Sequence, residues 1–211
     1  MKQVSKKISV KSIVVSMIGI FTVCVGLAFN NNTLLGNDPV GIIYDGIRAF
    51  FGLSRIQLGF VSNFVNIVLM IFLYFFGRKY LNIGTFLYLI PYGTFISIGS
   101  NLYPHIFTNN DLSTRLIAGL IGCSLYYIGI SLFVASDIGV DPFNGFMLTI
   151  RDHTGWSVRR SKITMDVVLT IAGYLLGGTF GLITIVTALT TGPAIQFLSV
   201  NFKKIIYAHE R

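Results

Sequence analysis

A duplicated motif constrains the fold of this chain more than any other sequence feature. Residues 36–39 have the sequence Gly-Asn-Asp-Pro, and residues 139–142, 103 positions later, have Gly-Val-Asp-Pro. At the same offset, each copy is followed by an arginine and then by a Gly-x-Ser triplet, within twelve identities over residues 13–75. Biased composition does not readily produce this order twice, so two related halves are predicted. The matched arginines and triplet ends are Arg48, Gly52 and Ser54 in the first half and Arg151, Gly155 and Ser157 in the second.

Long apolar stretches indicate where these halves lie. The chain has 211 residues, of which 53% are hydrophobic and 11% are charged, and its mean hydropathy is +0.73. Several apolar runs reach the roughly 20 residues that a helix needs to cross a bilayer. The net charge of +8 comes from lysines and arginines at the ends of these runs, where they set membrane orientation. The sequence therefore predicts a membrane protein that has the lipid bilayer as a partner. It disfavours nucleic acid binding, which needs a continuous basic surface.

The predicted fold class is an all-α membrane protein with six transmembrane helices, arranged as two inverted three-helix repeats. Three spans per repeat is an odd number, so the second repeat enters the membrane with the opposite orientation. With both termini in the cytoplasm, thirteen of the sixteen lysines and arginines lie on the inner side, and only Arg48, Arg55 and Arg115 lie outside. The predicted segments are a cytoplasmic tail (1–11), the first repeat (12–100), an inter-repeat loop (101–113), the second repeat (114–201) and a second cytoplasmic tail (202–211).

A short amphipathic helix is predicted at each Asp-Pro pair. Asp38 is suited to cap the N-terminus of the first one, Pro39 to occupy its first position, and Gly52 to end it. The segment, roughly 39–51, is too short to span a bilayer, so a re-entrant and an interfacial placement both stay open. The second copy has Asp141, Pro142 and Gly155 in the same places, and Gly36 and Gly139 open the two motifs.

Paired interruptions in the last helix of each half favour transport. Pro91 and Gly93 are predicted to interrupt the third span, and Gly192 and Pro193 the sixth. Carriers built from inverted repeats hold their cargo near the midplane, at interrupted helices between the repeats. The first hypothesis is therefore a secondary transporter or facilitator of a small solute, driven by a proton or ion gradient if it is driven at all. The second is a non-transporting membrane subunit, either a substrate-binding component or an accessory partner of another membrane complex.

The polar residues of the duplicated motif are the first candidates for contact with a solute. Asp38 and Asp141 either cap their helices only or also meet a cation, a proton or the cargo. Arg48 and Arg151 fall in the last turn of the short helices, where a cation suits the helix dipole. An arginine is also a natural clamp for a carboxylate or a phosphate, so a contact with the cargo is the alternative.

Asp166 is the one carboxylate predicted to lie well inside a span, and Asn63 occupies its place in the first half. An ionisable residue inside the membrane is a functional candidate by default. The alternative is that Asp166 lies near the inner interface, because Lys162 is only one turn away. Both Asn63 and Asp166 are therefore included in the predicted substrate-binding set.

Motifs for catalysis and for cofactors are absent from the sequence. The chain has no Walker A loop, no HExxH and no G-x-S-x-G. Cys24 and Cys123 lie in apolar runs without ligand-like spacing, so they are predicted to pack as small hydrophobic residues. We therefore expect no enzyme activity, no cofactor and no metal site. The oligomeric state is left open, with a homo-oligomer as one arrangement.

The chain resembles the YczE/YitT-like family of small bacterial membrane proteins. The paired G-x-D-P frames, the Asn-Ile-Gly-Thr stretch at 82–85 and the Gly-Pro-Ala-Ile run at 192–195 carry the resemblance. The second half departs from the Ile-Gly-Thr pattern, since residues 182–184 are Leu-Ile-Thr. The resemblance implies the architecture and a bacterial plasma membrane; it implies little about activity.

Overall fold

The computed structural model describes residues 9–208, and this part of the chain is helical, with no β-strand among the described residues. The predicted all-α class is therefore confirmed. Two short 3-10 segments, Arg55–Gln57 and Arg78–Tyr80, precede the third and fourth helices. The helices are α1 (Val10–Thr33), α2 (Pro39–Phe50), α3 (Leu58–Phe76), α4 (Ile83–Ile106), α5 (Leu112–Ala135), α6 (Pro142–Thr154), α7 (Val158–Leu175) and α8 (Leu182–Ile206).

Five helical segments among the described residues are long and apolar enough to cross a membrane. They correspond to α1, α3 with its preceding 3-10 turn, α4, α5 and α8. Helix α7, the remaining predicted span, has only 18 residues, and its first half carries Arg159, Arg160, Lys162 and Asp166. The described helices thus support an α-helical membrane protein, while the count of six spans stays a prediction.

The two short helices begin as the motif predicts. The Oδ2 atom of Asp38 accepts a hydrogen bond from the backbone amide of Val40 at 3.1 Å, and the Oδ1 atom of Asp141 accepts one from the amide of Asn144 at 3.0 Å. In both helices the proline occupies the first turn. These caps satisfy amide groups that have no partner inside the helix, which explains why the same pair of residues opens both helices.

Glycines flank the short helices where the backbone turns. Gly52 and Gly155 follow the ends of α2 and α6 with φ angles of +64° and +69°, a left-handed conformation that favours glycine. Gly36 and Gly139, which lie ahead of the same helices, also have positive φ angles, of +99° and +147°. All four glycines therefore adopt a backbone conformation that other residues rarely take, and this explains why glycine occupies these positions.

Helices α1 and α5, which occupy the same position in the two halves, pack against each other at the centre of the fold. A Cβ atom on Gly19 would lie 2.8 Å from the carbonyl oxygen of Gly129, and one on Gly26 would lie 2.5 Å from the amide nitrogen of Tyr126. Small residues at these points let the two backbones come together. Contacts that advance along α1 move backwards along α5, so the two helices are antiparallel.

The other helices pair in a matching pattern in the two halves. Helix α1 packs on α4 as α5 packs on α8, and the short helices α2 and α6 pack on α7 and α3 of the opposite half. One pair breaks the pattern, because α3 packs closely along α4 while α7 and α8 make little contact. The two halves therefore have the same neighbours but not the same conformation.

The predicted interruptions of the third helix in each half are wrong. Helices α4 and α8 continue through Pro91 and Pro193 respectively. Proline is tolerated inside membrane helices when neighbouring groups satisfy the local backbone. Next to Pro91, the amide of Gly93 donates to the Oδ1 atom of Asn63 at 2.9 Å, so a side chain from α3 supports the helix at this point.

The connection between the halves is shorter than the predicted loop at 101–113. Helix α4 extends to Ile106, and α5 begins at Leu112 behind the N-cap Asp111. The Oδ2 atom of Asp111 accepts a hydrogen bond from the amide of Thr114 at 3.1 Å, which fixes the start of α5. Only residues 107–111 therefore lie between the two helices.

Candidate functional site

A cavity of about 460 Å³ lies between the two halves. This volume falls within the range of sites that bind small molecules. Its walls come from every long or short helix except α3, including the N-termini of both α2 and α6. The cavity is therefore a composite of both copies of the duplicated unit.

The chain folds back after α1 to place the start of α2 inside the bundle. The side-chain amide of Asn37 donates to the carbonyl oxygen of Leu27 at 3.1 Å, six residues before the end of α1 at Thr33. After α2, Arg55 donates to the carbonyl oxygen of Asn31 at 2.8 Å, close to that same end. Helix α2 thus begins within the bundle and leads back towards the end of α1 from which the chain entered.

Asp38 is the most enclosed carboxylate of the cavity wall. The residue is only 2% exposed, and its Oδ2 atom accepts a hydrogen bond from the Tyr126 hydroxyl at 2.9 Å. Its Oδ1 atom is buried and has no hydrogen-bond partner among the described residues. Buried polar atoms are almost always hydrogen-bonded, so this unpartnered acceptor is unusual, and it belongs to a residue of the cavity wall.

The second motif carboxylate, Asp141, lines the same cavity in a less buried position. Both of its oxygens bond to Asn144, one to the backbone amide and one to the side-chain amide. Neither Asp38 nor Asp141 forms an ion pair within residues 9–208. The structure therefore places the two motif carboxylates in one cavity wall, and no lysine or arginine side chain of residues 9–208 pairs with either of them.

Two other charged side chains of the cavity wall are already paired. Lys162 binds Asp166 at 2.6 Å, and Asp137 binds Lys203 at 3.0 Å. Each pair is close to neutral as a unit. The uncompensated charge of the cavity thus lies on the motif carboxylates.

Tyrosines supply much of the remaining wall, and the sequence interpretation missed them. Tyr88 and Tyr92 stack with ring centroids 4.7 Å apart, and Tyr44 meets Tyr92 at 6.2 Å. The hydroxyl of Tyr44 accepts a hydrogen bond from the side-chain amide of Asn66 at 2.9 Å, which fixes its ring. The spacing of Tyr88 and Tyr92, four residues apart on one helix face, was the available signal. Their counterparts in the second half, at an offset of 99, are threonines, so the repeat does not reveal them.

Arg48 lies away from the cavity. It binds Asp45 at 2.9 Å and donates to the carbonyl oxygen of Leu53 at 2.6 Å. Asp45 in turn accepts hydrogen bonds from the amide and the hydroxyl of Thr179, both at 2.9 Å. Arg48 therefore closes the end of α2 and links it to the connection between α7 and α8.

Arg151 occupies a similar place at the end of α6. It donates to the hydroxyl of Tyr80 at 2.8 Å and binds Asp152, which also binds Lys79 at 2.6 Å. Lys79, Tyr80 and Arg151 together hold the pKa of Asp152 well below its usual range. This polar cluster joins the end of α6 to the segment ahead of α4, outside the cavity.

Asn63 and Asp166 also lie outside the cavity wall. Asn63 is held between α3 and α4 by its hydrogen bond to Gly93. Asp166 is partly exposed and pairs with Lys162, whose side chain does line the cavity. Contact of either residue with a solute stays a prediction, and Asp166 reaches the cavity only through its partner.

Known proteins are similar in sequence to this protein along most of the chain. Residues 10–200 match a family described as "Family of unknown function (DUF6198)". The "Uncharacterized membrane protein YczE" of Bacillus subtilis (strain 168) is 27% identical over 178 residues, which cover 84% of this chain and 80% of that protein. An "Uncharacterized protein" of Haemophilus influenzae is 30% identical over 165 residues, covering 77% and 72% of the two chains. No solved structure matches.

These matches agree with the apolar helices and with the predicted resemblance to YczE. The B. subtilis relative is described as a membrane protein, and five helical segments of this chain are long and apolar enough to cross a bilayer. The family match extends from the first residue of α1 into α8, so it includes both copies of the motif. The chain is a membrane protein and belongs to the DUF6198 family, within a YczE-like group.

Proposed function

We propose that the protein is a secondary carrier or facilitator that moves a small solute across a bacterial plasma membrane by alternating access. The proposal rests on a difference in packing between two equivalent helix pairs. Both pairs lie beside the cavity, which is lined by residues of both halves. Helices α3 and α4 are closed against each other, while α7 and α8 stand apart. A cavity that is closed on one side and loosely bordered on the other is what a carrier needs in one of its two states.

The proposal includes six spans in two inverted repeats with both termini in the cytoplasm. The antiparallel packing of α1 on α5 supports it, as do the matching neighbours of the other helices. Charge supports it too, because lysine and arginine are enriched on the cytoplasmic side of membrane proteins. Inverted repeats related in this way can exchange conformations, which moves access from one side of the membrane to the other.

The closed pair α3–α4 shows how such a contact is made. A Cβ atom on Gly59 would overlap the carbonyl group of Gly93, so these glycines bring the backbones together. Asn63 then bonds to the Gly93 amide at 2.9 Å. Close approach and one side-chain hydrogen bond thus hold the pair closed.

In the open pair α7–α8, the residues at the corresponding positions do not make this contact across the two helices. At the offsets of 103 and 99, the counterparts of Gly59, Asn63 and Gly93 are Lys162, Asp166 and Gly192. A Cβ atom on Gly192 would meet nothing within 4 Å. Closure of α8 on α7 would bring Gly192 towards Asp166, as Gly93 meets Asn63, while α3 and α4 separate. The Cβ atom of Lys162, which stands in the place of Gly59, would keep these two backbones further apart than those of α3 and α4.

Thiol labelling tests the proposal without knowledge of the solute. Ile195, which lines the cavity from α8, is replaced by cysteine in a variant that lacks Cys24 and Cys123. A membrane-impermeant thiol reagent is applied to intact cells and to inverted vesicles. A carrier exposes the cavity alternately, so we expect Ile195→Cys to be modified from both sides.

Leu189→Cys provides the matched control, because Leu189 lies on the same helix, is 74% exposed and is outside the cavity wall. We expect this lipid-facing position to react from neither side. Modification of Ile195→Cys from one side alone would contradict alternating access and would favour a non-transporting subunit.

A further inference from the structure

We infer that the cavity binds a small organic cation, such as an alkylated amine or a quaternary ammonium compound. The inference deepens the proposed function, since it takes the cavity to be the cargo site. Three features of the wall support it: its net charge, an unpartnered carboxylate oxygen, and its aromatic surface.

The charge of the cavity is negative after all pairs are taken into account. Lys162 is neutralised by Asp166, and Asp137 by Lys203, which leaves Asp38 and Asp141. Both residues cap helix N-termini, and each terminus contributes roughly half a positive elementary charge. Two carboxylates against two such termini leave about one negative charge, which repels an anion and attracts a cation.

Asp38 provides a specific point of attachment. Its Oδ2 atom is taken by Tyr126 and the amide of Val40, whereas its Oδ1 atom is buried without a partner among the described residues. A buried carboxylate is costly unless it is paired and hydrogen-bonded. A cation in the cavity beside the Asp38 carboxylate would supply the missing charge partner.

The aromatic surface selects an organic cation over a metal ion. Cations are attracted to the faces of aromatic rings, and quaternary ammonium groups are the usual ligands of such sites. Tyr44, Tyr88, Tyr92 and Tyr126 all line the cavity. The residues 9–208 contain no group of three or more His, Cys, Asp or Glu side chains that could hold a metal ion. The wall therefore offers rings and an unpaired carboxylate, which matches an alkylated nitrogen better than a hydrated metal.

A pair of isosteres tests the inference on the unmodified protein. Choline and 3,3-dimethylbutan-1-ol have nearly the same shape, but only choline carries a charge. Titration calorimetry on purified protein in lipid nanodiscs should show saturable choline binding at least about tenfold tighter than that of the neutral alcohol. Tetramethylammonium, a smaller probe, should compete with choline. Equal affinity for the alcohol would overturn the inference, and so would the absence of binding by both cations.

Substitution of the carboxylates locates the site. Asp38→Asn should weaken choline binding at least tenfold, and Asp141→Asn should also weaken it, which provides a second variant if the first is poorly folded. Asp111→Asn is the control, because Asp111 caps α5 outside the cavity and asparagine caps equally well. Unchanged affinity in both cavity variants would place the cation elsewhere and overturn the inference.

The two sets of measurements separate the two proposals. Two-sided labelling of Ile195→Cys without cation binding would support the carrier and contradict the organic cation as its cargo. Cation binding with one-sided labelling would support the proposed ligand and contradict alternating access.

Discussion

The hydroxyl of Tyr126 donates a hydrogen bond to the Oδ2 atom of Asp38 across the boundary between the two halves, over 2.9 Å. Tyr126 belongs to α5 and Asp38 caps the short helix α2. Both groups are buried, so the bond joins the cavity wall to the centre of the fold.

Loss of this hydroxyl should destabilise the protein. Tyr126→Phe leaves a buried carboxylate with one donor fewer, and hydrogen bonds to charged groups contribute about 1.5–3 kcal/mol. We expect a loss of this size in the free energy of unfolding, measured by denaturant titration in detergent micelles. Tyr127→Phe is the matched control, because its partner Thr190 is uncharged and keeps a bond to the carbonyl oxygen of Val186, so its loss should cost less. Equal effects of the two substitutions would contradict a buried, charge-assisted bond.

The glycine contact between α1 and α5 should not accept even one methyl group. In Gly26→Ala the new Cβ atom would lie 2.5 Å from the Tyr126 amide nitrogen and 2.6 Å from the carbonyl oxygen of Gly122. Overpacking of this kind costs about 1–3 kcal/mol, and a lower thermal unfolding temperature should report it. Gly192→Ala, where the same atom meets open space, should leave the temperature unchanged or raise it. A neutral Gly26→Ala would argue against the close helix packing.

A bulky residue at position 192 should block one state of the proposed carrier. Gly192→Leu fits the open arrangement of α7 and α8 but would prevent the closure seen at Gly93 in the other half. In the Ile195→Cys background we expect thiol modification to become one-sided. Ala188→Leu, an exposed position on the same helix, is the control and should preserve two-sided labelling. Two-sided labelling in Gly192→Leu would show that α8 does not close on α7.

The polar cluster at the end of α6 should give a pH-dependent contribution to stability. Lys79, Tyr80 and Arg151 lower the pKa of Asp152, so its stabilising effect is complete above the unfolded pKa of about 3.9 and is lost as the pH falls through the lower folded value. Because these groups are largely exposed, we expect Asp152→Asn to cost only about 0.2–1 kcal/mol at pH 7. The difference from wild type should shrink in high salt and below pH 4. A difference that persists in acid and salt would exclude an ionic origin.

The ends of the two short helices should lie on opposite sides of the membrane. Phe51 and Thr154 are exposed at these ends, and the proposed orientation places Phe51 outside and Thr154 inside. Single cysteines at these positions, labelled in intact cells and in inverted vesicles, should react from opposite sides. Reaction from one common side would contradict inverted repeats.

Local features of the fold follow from the sequence, and the contents of the cavity do not. Asp38 and Pro39 specify a helix start through groups within three residues of each other, so their motif predicts it reliably. The cavity combines Tyr44, Tyr88 and Tyr126 from three different helices, and no spacing along the chain marks such a set. The repeat predicted the two carboxylates of the cavity because each short helix has an aspartate at its N-cap.

The errors have equally physical causes. Pro91 was expected to break its helix because it cannot donate a backbone hydrogen bond, but proline is tolerated inside membrane helices, and Asn63 from α3 also bonds the nearby Gly93 amide. That support depends on packing between helices, which the local sequence does not show. For Arg48 the sequence allowed both a role at the helix end and contact with the cargo. Its partners, Asp45 and Leu53, are local and hold the helix end, and contact with a solute stays a prediction.

The antiparallel pair α1–α5 sets a limit on how this molecule can move. With glycine backbones in contact at Gly19 and Gly26, the pair has little room to slide or tilt. In the proposed carrier, motion would therefore be left to the peripheral helices, and Asp38 and Tyr126 would stay together at the central pair while the outer helices move. Variants that bias the molecule toward one state should therefore be found on α3, α4, α7 and α8.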